Sequence, residues 1–164
     1  MTRSLLYAGI GSRETPADVL DLMSSVAERL ARMGWTLRSG GAAGADSAFE
    51  RGHRTVTDQR LQVFLATGSI GPWAFELAER LHPAWERCSP YARKLHARNG
   101  QIVLGAGGGE PVRFVLCWTE GGTGRGGTGQ GMRVARDAGI PVFDLALPAV
   151  RERLSQFVTQ EVSA

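Results

Sequence analysis

The sequence predicts one α/β domain over residues 1–164, a Rossmann-like three-layer fold with a mostly parallel central sheet. Short apolar runs alternate with stretches whose apolar residues recur at helical spacing, the pattern of successive β-α-β units. Three of those runs empty directly into glycine-rich turns, as strands do where they hand over to helices at one edge of a parallel sheet. A length of 164 residues suits a single core that buries about two-thirds of the unfolded surface.

Residues 5–8 make a buried first strand that ends in Gly9-Ile10-Gly11. Thr15-Pro16 then offers an N-cap with proline at the first helical position, and Val19, Leu20, Leu22, Met23, Val26, Leu30 and Met33 follow at helical spacing up to Gly34. Residues 35–39 form a second strand. The next helix begins near Asp46, carries Ala48 and Phe49 inward and stops around Gly52. Residues 61–65 make the third strand, and a short helix is predicted over 73–81 within the proline-punctuated stretch 69–90. From Pro90 a helical pattern passes through Leu95, Ile102 and Leu104, interrupted or bent at Asn99-Gly100, so that Arg98-Asn99 precedes its apolar run. Residues 105–110 read as a flexible glycine loop. Residues 113–119 are nearly continuously apolar, which fits a central parallel strand covered on both faces. A helix over 128–138 stops at Gly139, and residues 140–144 are the last strand. After Pro148, Val150, Leu154, Phe157 and Val158 mark an amphipathic helix packed on the sheet edge.

Composition narrows the classes. Hydrophobic residues are 43% and charged residues 21%, close to globular averages and unlike a disordered or membrane chain. No apolar run approaches the roughly 20 residues of a spanning helix, and the opening Met-Thr-Arg-Ser lacks a secretory h-region, so a cytoplasmic location is expected. The formal charge is +3, and Lys94 is the only lysine. Arginine's planar fork suits bidentate phosphate contacts, although an excess this small is also ordinary for a solvated surface. Cys88 and Cys117 are the only cysteines, which gives no disulfide framework or zinc motif, and Cys117 lies in an apolar run. His53, His82 and His96 share no metal-ligand spacing, so no metal and no cofactor are expected.

The turns carry the chemistry. In a parallel sheet they line up along one edge, so Gly9-Ile10-Gly11-Ser12-Arg13, Ser39-Gly40-Gly41-Ala42-Ala43-Gly44-Ala45-Asp46 and Gly126-Gly127-Thr128-Gly129-Gln130 converge into a pocket. Glycine lets backbone approach a ligand closely, and free amides at helix starts favour an anion, which points to a phosphate-bearing nucleotide or nucleic acid. Arg13 is placed to clamp a phosphate. Asp46 could cap its helix or hold a ribose hydroxyl. Arg98 and Asn99 could face the same edge, while Ser39, Thr119, Thr128 and Gln130 offer neutral donors. No Gly-Lys-Ser/Thr follows at P-loop spacing. Gly122, Gly124 and Gly127 can be fitted to G-x-G-x-x-G, but so late in the chain that a standard dinucleotide oxidoreductase is disfavoured. Paired carboxylates are missing from the turns, Glu120 being the only acid near the third, and no catalytic residue is expected.

Taken in order, the turns resemble the DprA-like branch of the SLOG superfamily. Gly11-Ser12-Arg13 is similar to that family's first turn, and Ser39-Gly40-Gly41-Ala42-Ala43-Gly44-Ala45-Asp46 matches its Ser-Gly-x-Ala-x-Gly-hydrophobic-Asp motif. Arg98-Asn99-Gly100-Gln101-Ile102-Val103-Leu104-Gly105 looks like its Arg-Asn-Arg-Ile-Ile-x-Gly segment, with the second arginine replaced by Gly100-Gln101 and one phosphate-contacting charge thereby removed. The resemblance implies a Rossmann-like core that binds single-stranded DNA, acts as a homodimer and stands alone, in the manner of cores encoded by phages and mobile elements. It also covers two other readings. Nucleotide-sensing SLOG domains bind a free nucleotide or an ADP-ribose derivative. The Lonely Guy phosphoribohydrolases use a Pro-Gly-Gly-x-Gly-Thr-x-x-Glu loop, and here Gly126-Gly127-Thr128-Gly129-Gln130-Gly131-Met132-Arg133 lacks the glutamate.

Overall fold

The computed structural model describes residues 4–160. Strands β1 (Leu6–Gly9), β2 (Thr36–Ser39), β3 (Leu61–Val63), β4 (Phe114–Cys117) and β5 (Val142–Asp144) form one sheet. Its order is β3-β2-β1-β4-β5 and every neighbouring pair is parallel. Tyr7 on β1 stands opposite Leu37 on β2 and Phe114 on β4. Six helices accompany the described strands: α1 (Ala17–Arg32), α2 (Ala45–Arg54), α3 (Pro72–Leu81), α4 (Pro90–Leu104), α5 (Gly127–Asp137) and α6 (Pro148–Thr159).

Strand pleating divides the core into two faces. Tyr7, Leu37 and Leu116 pack with Val19, Met23, Val26 and Leu30 of α1 and Ala48 and Phe49 of α2. Leu6, Ala8, Val115 and Cys117 point the other way, onto Ile102 and Val103 of α4 and Met132, Val134 and Ala135 of α5. The result is a three-layer α/β fold of the Rossmann-like kind. Among the described residues, no helix is long and apolar enough to cross a membrane.

Several local expectations change. Pro16 occupies the cap position of α1, one residue earlier than expected, and the Thr15 hydroxyl does not cap the helix but donates to the Ser12 carbonyl at 2.6 Å. Helix α2 does not stop at Gly52. There a Cβ would come within 1.9 Å of the Ser24 carbonyl oxygen, so this glycine marks the closest approach of α1. Helix α4 runs unbroken through Asn99-Gly100, which places Arg98-Asn99 inside the helix; Ser89 caps it by accepting the Ala92 amide at 3.1 Å. A mid-helix glycine costs about 1 kcal/mol, less than the packing that holds α4 against the sheet.

The 105–110 loop is tied down as well. Buried Arg38 donates to the Glu110 carbonyl at 2.6 Å and pairs with its carboxylate at 3.4 Å, while Trp73 donates to the Ala106 carbonyl at 3.2 Å. Helix α6 lies on the α1 side of the core beside the edge strand β5: Val150, Leu154 and Phe157 pack there, with the Arg29 guanidinium 5.0 Å from the Phe157 ring centroid and the Arg153 guanidinium 5.6 Å from that of Phe143. The stretch 69–90 supplies α3 and a 3₁₀ turn at Trp85–Arg87, packed on Ala97 of α4 through Ala74, Ala78 and Trp85.

Candidate functional site

The chain leaves β1 toward β2 and β3 on one side, then returns to place β4 and β5 on the other. The carboxyl ends of β1 and β4 therefore flank a topological switch point, where loops diverge and a crevice opens. A cleft of about 360 Å³ lies there, lined by residues 10–14, Ala42, Asp46, Leu95, Arg98, Asn99 and residues 125–128. The three glycine turns, far apart in sequence, share it with one face of α4.

The first two turns hold each other. The Ser12 carbonyl accepts the Ala45 amide at 3.4 Å, and the Ser12 hydroxyl accepts the Glu14 amide at 2.9 Å. Gly44 has φ +87°, and a Cβ there would meet the Ser12 oxygen at 2.7 Å, so only glycine satisfies both the backbone angle and the contact. Helices α2 and α5 start after Gly44 and Gly126 with no side-chain cap. The Ala45 and Gly129 amides are taken by the Ser12 and Gly126 carbonyls, and the other first-turn amides are left for water or an anion, with the positive end of each helix dipole behind them.

Arg98 and Asn99 build the wall. Arg98 donates through Nη1 to the Gly40 and Phe64 carbonyls at 2.8 and 3.1 Å, and through Nε to Asn99 Oδ1 at 3.0 Å. Asn99 in turn donates to the Gly127 carbonyl at 2.9 Å, which fastens the third turn to α4. Asp46 accepts the Ala42 amide at 3.2 Å. Its Oδ1 is buried without a well-formed hydrogen bond. Burial outweighs the Ala42 amide and the Arg98 charge and pushes the Asp46 carboxyl up to about 6. Arg13 and Arg125 are exposed at the mouth and make no ion pair among the described residues. With Arg98 they set three guanidiniums against the carboxyls of Glu14 and Asp46.

Of the residues singled out in the sequence, Gly11, Ser12, Arg13, Ala42, Asp46, Arg98, Asn99, Gly126, Gly127 and Thr128 line the cleft. The others stand behind it. Ser39 is buried and donates to Glu50 at 2.8 Å, and Gly40 and Gly41 pack against Arg98 and Leu65. Ala45 fills the space beside Gly11. Thr119 is buried on Asp144, its hydroxyl donating to the carboxylate, and ties β4 to β5. Gly129 packs against the Gly124 carbonyl; buried Gln130 donates to the Ala78 carbonyl at 3.1 Å and accepts Arg133 at 2.7 Å. Gln101, at the site of the missing arginine, is buried with its amide near the Ser69 and Ala106 carbonyls. Ile10, Glu14, Leu95 and Arg125 line the cleft without having been singled out. Arg125, between two glycines of an already chosen loop, carried a readable signal; Leu95 needed the helix phase.

A second hollow shares Arg125, Gly126 and Gly127 with the first and continues to His82, His96 and Arg133. Sequence spacing gave no metal motif, yet the fold brings one ligand atom each from His82, Cys88 and His96 within 4.8 Å of one another. Burial, with the neighbouring His82 and Arg133 charges, holds the His96 imidazole down to about 4.

A wholly parallel five-stranded sheet with this order, carrying a cleft over the switch point, defines a Rossmann-like α/β protein. Its fold is shared with the solved structure of DNA processing protein A from Helicobacter pylori, described for its single-stranded DNA binding mode, at a TM-score of 0.60 and 18% identity over 96% of this chain and 75% of that one. No family model matches the chain, and no curated protein matches its sequence.

Proposed function

We propose that this chain binds single-stranded DNA, gripping its phosphates at the switch-point cleft through the amides that open α2 and α5 and through Arg13, Arg98 and Arg125. The observation that carries the reading is the convergence of three glycine turns and two uncapped helix starts on one arginine-lined cleft. The fold shared with a DNA-binding protein and the resemblance of the second turn support it. The bound unit is a homodimer, as that resemblance implies, and sedimentation should give twice the chain mass. Oligonucleotide titrations followed by fluorescence anisotropy at two salt concentrations test the reading. Affinity should fall steeply with salt, with a slope of about −0.7 for each phosphate neutralised. Absence of binding at both concentrations would defeat it.

The cleft volume, about 360 Å³, also suits one nucleotide. On that second reading, free nucleotides raise the melting temperature and affinity does not grow with oligonucleotide length.

A further inference from the structure

We infer that His82, Cys88 and His96 form a transition-metal site of the zinc class, at the rim of the second hollow. The side chains come from three different places: His82 from the end of α3, Cys88 from beyond the 3₁₀ turn at Trp85–Arg87, and His96 from the middle of α4. Nothing in their sequence spacing asks for this convergence.

The donor set fits. Two imidazoles and a thiolate suit Zn²⁺, which takes nitrogen and sulfur ligands at ~2.0–2.3 Å in a tetrahedron. A tetrahedron of that size has ligand-to-ligand edges of roughly 3.3–3.8 Å. Cys88 Sγ already lies 3.8 Å from His82 Nε2 and 3.9 Å from its Nδ1. All three ligand atoms fall within 4.8 Å, so closure asks a side-chain shift of about 1 Å or less. The His82 and His96 rings are tilted at 51° with centroids 4.4 Å apart, so they converge without lying flat on each other. His96 Nδ1 is buried with no hydrogen-bond partner, and Cys88 is free of any disulfide.

Occupancy has identifiable consequences. The Cys88 thiol gives up its proton to solvent as its sulfur bonds the metal. His82 Nδ1 now accepts the Ala84 amide at 3.0 Å, and that bond is lost, because a metallated imidazole carries its proton on the other nitrogen. The Cys88 thiol's hydrogen bond to the Ala84 carbonyl, 3.6 Å long, goes with its proton, and two neutral hydrogen bonds are a small loss against three metal–ligand bonds. The fourth position takes water or an anion, since the hollow offers glycines and the Arg125 and Arg133 guanidiniums but no further ligating side chain. A filled site would staple the 82–88 segment to α4 beside Gly126-Gly127 of the candidate phosphate cleft. It stands independently of the DNA-binding reading.

Cobalt(II) titration of the untagged, metal-stripped full chain tests the site. The expected result is a tetrahedral visible spectrum with a thiolate-to-cobalt charge-transfer band saturating at one equivalent, displaced by Zn²⁺. Zn²⁺ should also raise the melting temperature. Cys88→Ser, at a partly exposed position, should abolish the charge-transfer band and the zinc-dependent rise while keeping the native circular dichroism. Cys117→Ala should keep both, and His96→Gln should weaken cobalt affinity at least tenfold. Absence of a band with cobalt in excess, or a band that survives Cys88→Ser, would overturn the assignment.

Discussion

Asp46 is the buried acid of the cleft. Its folded value of about 6 stands above the ordinary 3.8, so the folded chain holds the proton more tightly than the unfolded chain does. Stability contributed by this group is therefore present below about 4, falls as pH rises through about 6, and is flat above. The gap is worth on the order of 3 kcal/mol. Asp46→Asn keeps an acceptor for the Ala42 amide and removes the titration. Melts at pH 5 and pH 7 should show the wild type losing stability with pH relative to the variant, and equal losses would refute the assignment. Deprotonation also adds a negative charge beside the proposed phosphates, so DNA affinity should weaken across the same interval in the wild type alone. Arg13→Ala and Arg125→Ala remove exposed charges with no ion-pair partner among the described residues, so each should weaken DNA binding and lower the salt slope by about 0.7 with the melting temperature unchanged. The glycine turns and Arg13 were readable because a strand end followed by glycine and a helix start is a local pattern. The burial of Ser39, Thr119 and Gln130 was not, because a hydroxyl or amide looks the same in sequence whether it faces a ligand or the Glu50, Asp144 or Ala78 group that occupies it here.

Among the elements, α2 shows where propensity misleads. By propensity alone Gly52→Ala should stabilise the helix by about 1 kcal/mol. The Ser24 carbonyl lies 1.9 Å from the would-be Cβ, so the substitution forces α1 and α2 apart and should cost about 1–3 kcal/mol instead, measured as the urea midpoint. A gain in stability would show that the helices separate freely. The same lesson applies to α4, where Asn99-Gly100 reads as a break and the helix passes through it, since packing against the sheet and the Asn99 bond to Gly127 hold the segment helical. Element type was legible wherever apolar spacing ran long, as in α1. Boundaries and the role of single glycines were not, because a glycine that ends a helix and one that lets a neighbouring helix approach are the same letter.

At the scale of the molecule, α6 covers the α1 side of the core, leaving an apolar hollow of about 340 Å³ between Val150, Leu154 and Phe157 and the Trp35, Phe114 and Phe143 rings. Its Val150, Leu154, Phe157 and Val158 are each partly buried, worth about 1 kcal/mol apiece. Ending the chain at Leu147 should therefore cost roughly 4 kcal/mol and raise binding of a hydrophobic dye, with the sheet retained by circular dichroism. A parallel α/β protein with glycine turns at three strand ends was already legible along the chain, because periodicity and turn chemistry are set by neighbouring residues. Packing in three dimensions decided that Arg98 reaches the turn after β2, that Arg38 binds the 105–110 loop, and that His82, Cys88 and His96 meet. Those contacts join residues distant along the chain, and only the packing of helices on the sheet fixes which of them lie within bonding distance.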